Sequence, residues 1–286
     1  MALADALEEL KASYHHSVLE GGGLAFHFQD YSVEVWGRGP QALVATFAPK
    51  TKSYRRPASE RPAWGADFLK GRGVSGLHVK SSQACWYRKP QLEVFFLRAR
   101  AAGLFDAFDK VMTYGGSMGG FGALSFAGLC KAQAVLSINP QVNLGPAVRD
   151  WETRFKGAMQ FGWDDDLTNI DRQLRAVRRP VLVYDAYHLQ DRKQADLVTV
   201  PQAIRLNVPF VGHQMPRHLL NMRVLGTIFD AVLSDTLDRT AICQALRRRR
   251  QLLRYRETLL EKAGPSLKRR TIIETALPLD AMIGSA

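Results

Sequence analysis

The strongest chemical signal in the chain is Gly115-Gly116-Ser117-Met118-Gly119, a Gly-x-Ser-x-Gly pentapeptide followed by Gly120. A serine hydroxyl becomes a nucleophile only when a base takes its proton. A sharp strand-to-helix turn can hold such a serine with its oxygen exposed at the top of a sheet. Glycines around it have no Cβ, so strand and helix can approach each other at the turn. The amide of Met118 would then open a helix and point at the negative charge that develops when the serine attacks a carbonyl. These residue types at this spacing suit attack on an acyl carbon.

The elements around the motif are those the turn requires. Residues 110–114 (Lys-Val-Met-Thr-Tyr) read as a short apolar strand entering the glycines, and residues 121–132 read as a helix rich in small residues. Upstream, residues 31–37 alternate as a strand does. Residues 42–48 are a continuous apolar run ended by Pro49, which fits a strand covered on both faces, and 74–80 fit a third strand. A helical pattern runs from Pro90 to Ala102. Downstream, 134–138, 180–184 and 203–211 read as strands, with a polar and aromatic insertion over about 142–178. Strands alternating with helices predict a mostly parallel sheet with helices on both faces. There is no internal repeat and no low-complexity linker. The reading is one α/β domain over 1–286, with its core at about 25–235 and a helical, basic C-terminal appendage at about 236–286.

The stretch Tyr114-Gly115-Gly116-Ser117-Met118-Gly119-Gly120-Phe121-Gly122-Ala123-Leu124 resembles the nucleophile elbow of bacterial α/β-hydrolases, in which Gly-x-Ser-Met-Gly-Gly precedes an aromatic and small residues. The resemblance covers element order over about residues 30–230 and is sharpest at the elbow and near His213. It implies the fold and a reaction class, and no particular substrate. It also implies the chain order serine, acid, histidine. His213 ends the apolar run Val208-Pro209-Phe210-Val211-Gly212 and is the candidate base. His218 lies inside a helical-looking segment, His188 precedes the last strand, and His27 and His78 precede the serine.

Two acids follow the strand at 180–184. Asp185 abuts its end, and Asp191 lies farther into the loop before a helix-like stretch. In resembling hydrolases the acid usually lies in the loop, so Asp191 is favoured, with Asp185 as the alternative. The acid would hold the imidazole tautomer and stabilise the imidazolium, and the other aspartate would cap a helix or bind the loop. The oxyanion donors expected are the amide of Met118 and a second one from Phe47 or Ala48, after the strand at 42–48. The chain lacks the His-Gly-Gly-Gly form of many lipases and esterases.

Other motifs carry less. Gly71-Arg72-Gly73-Val74-Ser75-Gly76 matches G-x-G-x-x-G, but a helix-like stretch precedes it and a strand follows, the reverse of a dinucleotide site. There is no P-loop and no H-E-x-x-H, so no cofactor and no metal are expected. His15-His16 reads as surface. Asp164-Asp165-Asp166 reads as a solvated turn at a helix N-terminus. Trp86-Tyr87 and Trp163 could line a pocket, although such aromatics usually pack a core or loop.

The 286 residues can bury a core without staples. Three widely spaced cysteines, Cys85, Cys130 and Cys243, form neither a disulfide framework nor a zinc pattern, which suits a reducing compartment. The first ten residues carry acids where a signal peptide has a basic segment, and no eighteen apolar residues run together. The expectation is a soluble cytoplasmic protein. The net charge of +12 favours anionic partners. Much of it lies in the appendage, where Arg247-Arg248-Arg249-Arg250 leads to Lys268-Arg269-Arg270. Leu246, Leu253 and Leu260 recur every seven residues there and predict one amphipathic helix. That helix would dock on the body or receive an anionic partner: an acidic carrier protein, an acidic glycan or a membrane surface. Nucleic acid is not expected, since only Tyr255 interleaves the basic run.

The sequence therefore reads as a serine hydrolase acting on a small-molecule or carrier-bound ester or thioester through an acyl-enzyme on Ser117. Acyl transfer to a sugar or carrier acceptor is one alternative. A non-catalytic protein that keeps the fold for binding or assembly is the other.

Overall fold

The computed structural model describes residues 3–51 and 54–283. Its nine strands are β1 (His15–Val18), β2 (Leu24–Phe28), β3 (Tyr31–Trp36), β4 (Leu43–Phe47), β5 (Ser75–Ser81), β6 (Val111–Gly116), β7 (Ala134–Ile138), β8 (Arg179–Tyr184) and β9 (Ile204–Asn207). They form one sheet in the order β1-β2-β3-β5-β4-β6-β7-β8-β9. The strands from β5 to β9 in that order are parallel, and β1, β2 and β3 join as an antiparallel extension on β5.

The helices are α1 (Leu3–Ser13), α2 (Ala66–Lys70), α3 (Pro90–Ala101), α4 (Met118–Ser125), α5 (Ile170–Gln173), α6 (Leu189–Asp196), α7 (Met215–Asn221), α8 (Leu225–Leu233), α9 (Arg239–Ala245), α10 (Leu253–Ala263) and α11 (Leu267–Ala276). None is long and apolar enough to cross a membrane.

The central strands are apolar at nearly every position because both faces are covered. Leu43, Ala45 and Phe47 of β4 face one core while Val44 faces the other. Val135 of β7 likewise opposes Leu136 and Ile138, and Leu182 of β8 opposes Val181 and Val183. This is the period of two expected of a pleated strand. The first core is closed by α3, whose Pro90 sits at the helix start and whose Leu92, Phe95, Phe96 and Ala99 are buried at helical spacing. The second is closed by α8 through Leu225, Ile228, Phe229 and Val232.

Several elements differ from the sequence reading. β1 and β2 were not expected, because β1 is short, polar and largely exposed at the sheet edge. The helix after the elbow ends at Ser125, short of residue 132, and short turns follow. The last strand stops at Asn207: Pro209 has no amide for a ladder, and Phe210 and Gly212 turn the chain at φ 66° and 70°. The basic run is not one amphipathic helix. Leu246–Gln251 is a 3-10 turn and Leu252 is extended, so the seven-residue leucine repeat is split across separate elements. Leu246 and Leu252 are buried in the second core, while Arg247, Arg248 and Arg250 are exposed.

Candidate active site

Ser117 stands between β6 and α4 at φ 56° and ψ −119°, a conformation that costs an L-residue about 1–3 kcal/mol and is held by its surroundings. Its amide donates to Ile138 O on β7 (2.9 Å). The flanking glycines have a steric reason. A Cβ on Gly115 would lie 2.0 Å from Gly119 O, and one on Gly119 would lie 1.9 Å from Phe47 O. Strand and helix meet at the distance only glycine permits. Met118 takes the first helical position, where the amide has no acceptor within the helix.

Ser117 Oγ lies 3.0 Å from His213 Nε2. On the other side of the ring, His213 Nδ1 lies 2.9 Å from both oxygens of Asp191. A carboxylate only accepts, so Nδ1 carries the hydrogen and Nε2 presents its lone pair to the serine. His213 follows the Val211-Gly212 turn, and its carbonyl accepts from Asn139 Nδ2 (2.7 Å).

Asp191 sits in the first turn of α6 and is fully buried. Burial alone would raise its pKa. The His188 ring beside it and the hydrogen-bonded His213 ring outweigh that and hold the carboxyl well below the usual carboxylate range. His188 Nδ1 lies 3.3 Å from Asp191 Oδ2, and Arg154 donates to Asp191 Oδ1 (2.6 Å). Arg154 also grips Glu152 with two hydrogen bonds, to Oε1 at 2.8 Å and Oε2 at 2.6 Å. Burial raises the Glu152 pKa, but these bonds hold it low, and the two carboxylates together raise that of Arg154.

Asp185 does a different job. Its Oδ2 accepts from the amides of Val211 (2.9 Å) and Gly212 (2.8 Å), and its Oδ1 from that of Tyr187 (2.9 Å). It ties down the turn that carries His213 without touching the ring. His218 is buried in α7, and His78 is buried on β5, bonded to Thr46 Oγ1 (2.6 Å).

The expected second oxyanion donor requires correction. The Ala48 amide is turned to Val79 O of β5 (3.4 Å). Leu43 N donates to Lys110 O (2.9 Å), and the two-residue period of the ladder turns the Phe47 amide the same way, toward β6. Both amides are engaged in the ladder of the sheet, and Pro49 has no amide hydrogen.

Five nearby residues were not singled out for a role in the site. Asn139 and Gln141 follow β7; Glu152, Arg154 and Phe155 lie in the 142–178 insertion. Gln141 Nε2 donates to Ser117 Oγ (2.8 Å), and Phe155 lies 6.4 Å from the His213 ring. The one local signal was position, since Asn139 and Gln141 flank Pro140 just past a strand end. Trp86 is buried and reaches this cluster, whereas Trp163 packs on Phe121 (5.2 Å). Of the three adjacent aspartates, Asp165 caps a 3-10 turn and pairs with Arg88, and Asp166 pairs with Arg172 (2.5 Å). Among the described residues no group of three or more His, Cys, Asp or Glu is placed to hold a metal ion.

No protein-family model matches the chain, and no curated protein sequence does. Solved structures do. The capsule O-acetyltransferase of Neisseria meningitidis serogroup A superposes with a TM-score of 0.50 at 11% identity, over 78% of this chain and 99% of that one. Acetyl xylan esterase 1 from a Thermoanaerobacterium species superposes with a TM-score of 0.49 at 14% identity, over 82% of this chain and 92% of that one. The likeness is one of fold. With the parallel sheet and the serine turn between β6 and α4, it gives this chain the α/β-hydrolase fold.

Proposed function

We propose that the protein is a serine acyl-enzyme catalyst that cleaves an ester or thioester with Ser117 as nucleophile, His213 as base and Asp191 as the acid behind it. The observation that carries this reading is the continuous relay from Ser117 Oγ to His213 Nε2 (3.0 Å) and from His213 Nδ1 to Asp191 (2.9 Å). It begins on a backbone conformation that an L-residue holds only at a cost.

The steps follow from the geometry. Ser117 Oγ bonds to the acyl carbon as its proton passes to His213 Nε2, and the carbonyl pair moves onto oxygen beside the Met118 amide. His213 then gives the proton to the departing alkoxide or thiolate, leaving the acyl group on Ser117. Water repeats the sequence in reverse and releases the acid. An acceptor hydroxyl in place of water gives acyl transfer by the same steps. The fully buried Asp191 keeps one imidazole tautomer through both halves. The test is turnover of activated short esters, alone and with added alcohol acceptors. Ser117→Ala should abolish both reactions, and unchanged turnover would overturn the reading.

The same reading extends to the C-terminal segment. Residues 239–283 hold 11 Lys and Arg against 4 Asp and Glu. With the apolar side chains Leu246 and Leu252 buried and most of the arginines outward, this segment is suited to receive an anionic partner or a carrier-bound substrate.

A further inference from the structure

Gln141 is fully buried, and both ends of its carboxamide are engaged. Its Oε1 accepts from the Trp86 indole N–H (2.5 Å), and its Nε2 donates to Ser117 Oγ (2.8 Å). The indole nitrogen is a donor only. It therefore dictates which way the amide is turned: oxygen toward Trp86, NH2 toward the serine. Trp86 is itself held firmly. It is 3% exposed, at φ 47°, with its ring edge-on to Phe155 (5.6 Å).

The hydrogen-bond count at the serine is consistent with this arrangement. Ser117 Oγ accepts from Gln141 and donates to His213, so its proton already points at the base. Gln141 Nε2 has two hydrogens, and one serves the serine in the resting state. The second makes only the long 3.5 Å contact to His213 Nε2 and can turn to an oxygen that arrives on the carbon bonded to Oγ. Nε2 also lies 3.5 Å from His213 Nε2, so it borders the space in which the reacting atoms meet. Meanwhile the amides of Phe47 and Ala48 are turned into the sheet.

We propose that Gln141 is a catalytic residue, the side-chain hydrogen-bond donor to the oxygens of the tetrahedral intermediate, and that Trp86 is the positioning residue that fixes its amide. The proposal rests on the Ser117 reading above. It sets, with the Met118 amide, a donor that comes from the segment just past β7 and not from β4. A buried, prealigned donor of this kind needs no reorganisation as charge develops.

The test uses the full chain, with folding of each variant checked by circular dichroism, and compares four substitutions by kcat and KM on one activated ester. Ser117→Ala should be inactive. Gln141→Leu should lose about 100-fold or more in kcat with KM changed only a few-fold, the signature of an interaction made in the transition state. Gln141→Glu keeps an acceptor for Trp86 but turns an acceptor toward the serine. It should be as poor as the leucine variant at neutral pH. Its activity relative to wild type should rise as pH falls and the carboxyl gains a proton to donate, a response that a merely structural glutamine would not give. Trp86→Phe should lose a smaller factor, and adding it to Gln141→Leu should cost little more. A folded Gln141→Leu with wild-type kcat, beside an inactive Ser117→Ala, overturns the role of Gln141 and leaves the Ser117 reading standing. Should Gln141→Leu not fold, wild-type kcat in Trp86→Phe overturns it instead. An active Ser117→Ala overturns both.

Discussion

His213 Nδ1 lies 2.9 Å from both oxygens of Asp191, while Asp185, at the end of β8, binds the backbone amides of Val211 and Gly212 just ahead of the same histidine. One aspartate addresses the ring and the other addresses the turn. Both are buried, and each keeps hydrogen-bond partners suited to a carboxylate. The division sets how each should respond to substitution.

Asp191→Asn should lower kcat about ten-thousandfold, because an amide can favour the wrong imidazole tautomer, and it should also lower the unfolding midpoint, because it breaks the buried pair with Arg154. Asp185→Asn should act mainly on stability. It weakens the charge-assisted acceptor of three amides, costing roughly 1–3 kcal/mol of stability, and activity should fall much less. Steady-state kinetics and urea unfolding on the two variants check this. A large kcat loss confined to Asp185→Asn would reassign the acid.

Stability should also depend on pH through a group far from the chemistry. His78 is buried beneath Trp36, and burial pushes its pKa down to about 4 from the ordinary 6.5. It is therefore neutral in the fold, and protons favour the unfolded chain below 6.5. Stability from this source is complete above pH 6.5 and is lost as pH falls toward 4, by about 3 kcal/mol in all. Unfolding free energies at pH 7 and 4.5 should differ by about 2.5 kcal/mol more in wild type than in His78→Gln. Asp191, whose carboxyl is held low, contributes its loss only below the ordinary carboxylate range.

The elbow was legible because its constraint is local. Gly115 and Gly119 meet backbone within 2.0 Å of where a Cβ would stand, and only one residue type satisfies that. The central strands were legible for a similar reason, since burial on both faces leaves an uninterrupted apolar run. The edge strands were not, because β1 buries little and its residues look like any polar loop. Nor could spacing show Arg154 beside Asp191 or Gln141 beside Ser117. Those contacts depend on how the 142–178 insertion and the β7 end fold across the sheet, over separations of 37 and 24 residues. The leucine repeat misled because a period of seven describes one continuous helix, and the chain breaks at Leu252.

Replacing Arg247, Arg248, Arg249 and Arg250 together by Glu should leave turnover of small neutral esters unchanged, since these residues lie in a different element from Ser117. It should weaken binding to at least one anionic probe among an acidic carrier protein, an acidic glycan and anionic vesicles. Wild-type binding to that probe should fall steeply as salt rises. Equal, salt-independent binding of both proteins to every probe would remove the landing-surface role.

The most direct measurement is fluorophosphonate labelling followed by peptide mapping. The account predicts one adduct, on Ser117, formed quickly in wild type, absent in Ser117→Ala and slowed by orders of magnitude in His213→Ala, because the serine reacts only when a base takes its proton. An unlabelled wild-type protein that is folded, or an adduct that persists in Ser117→Ala, would contradict it.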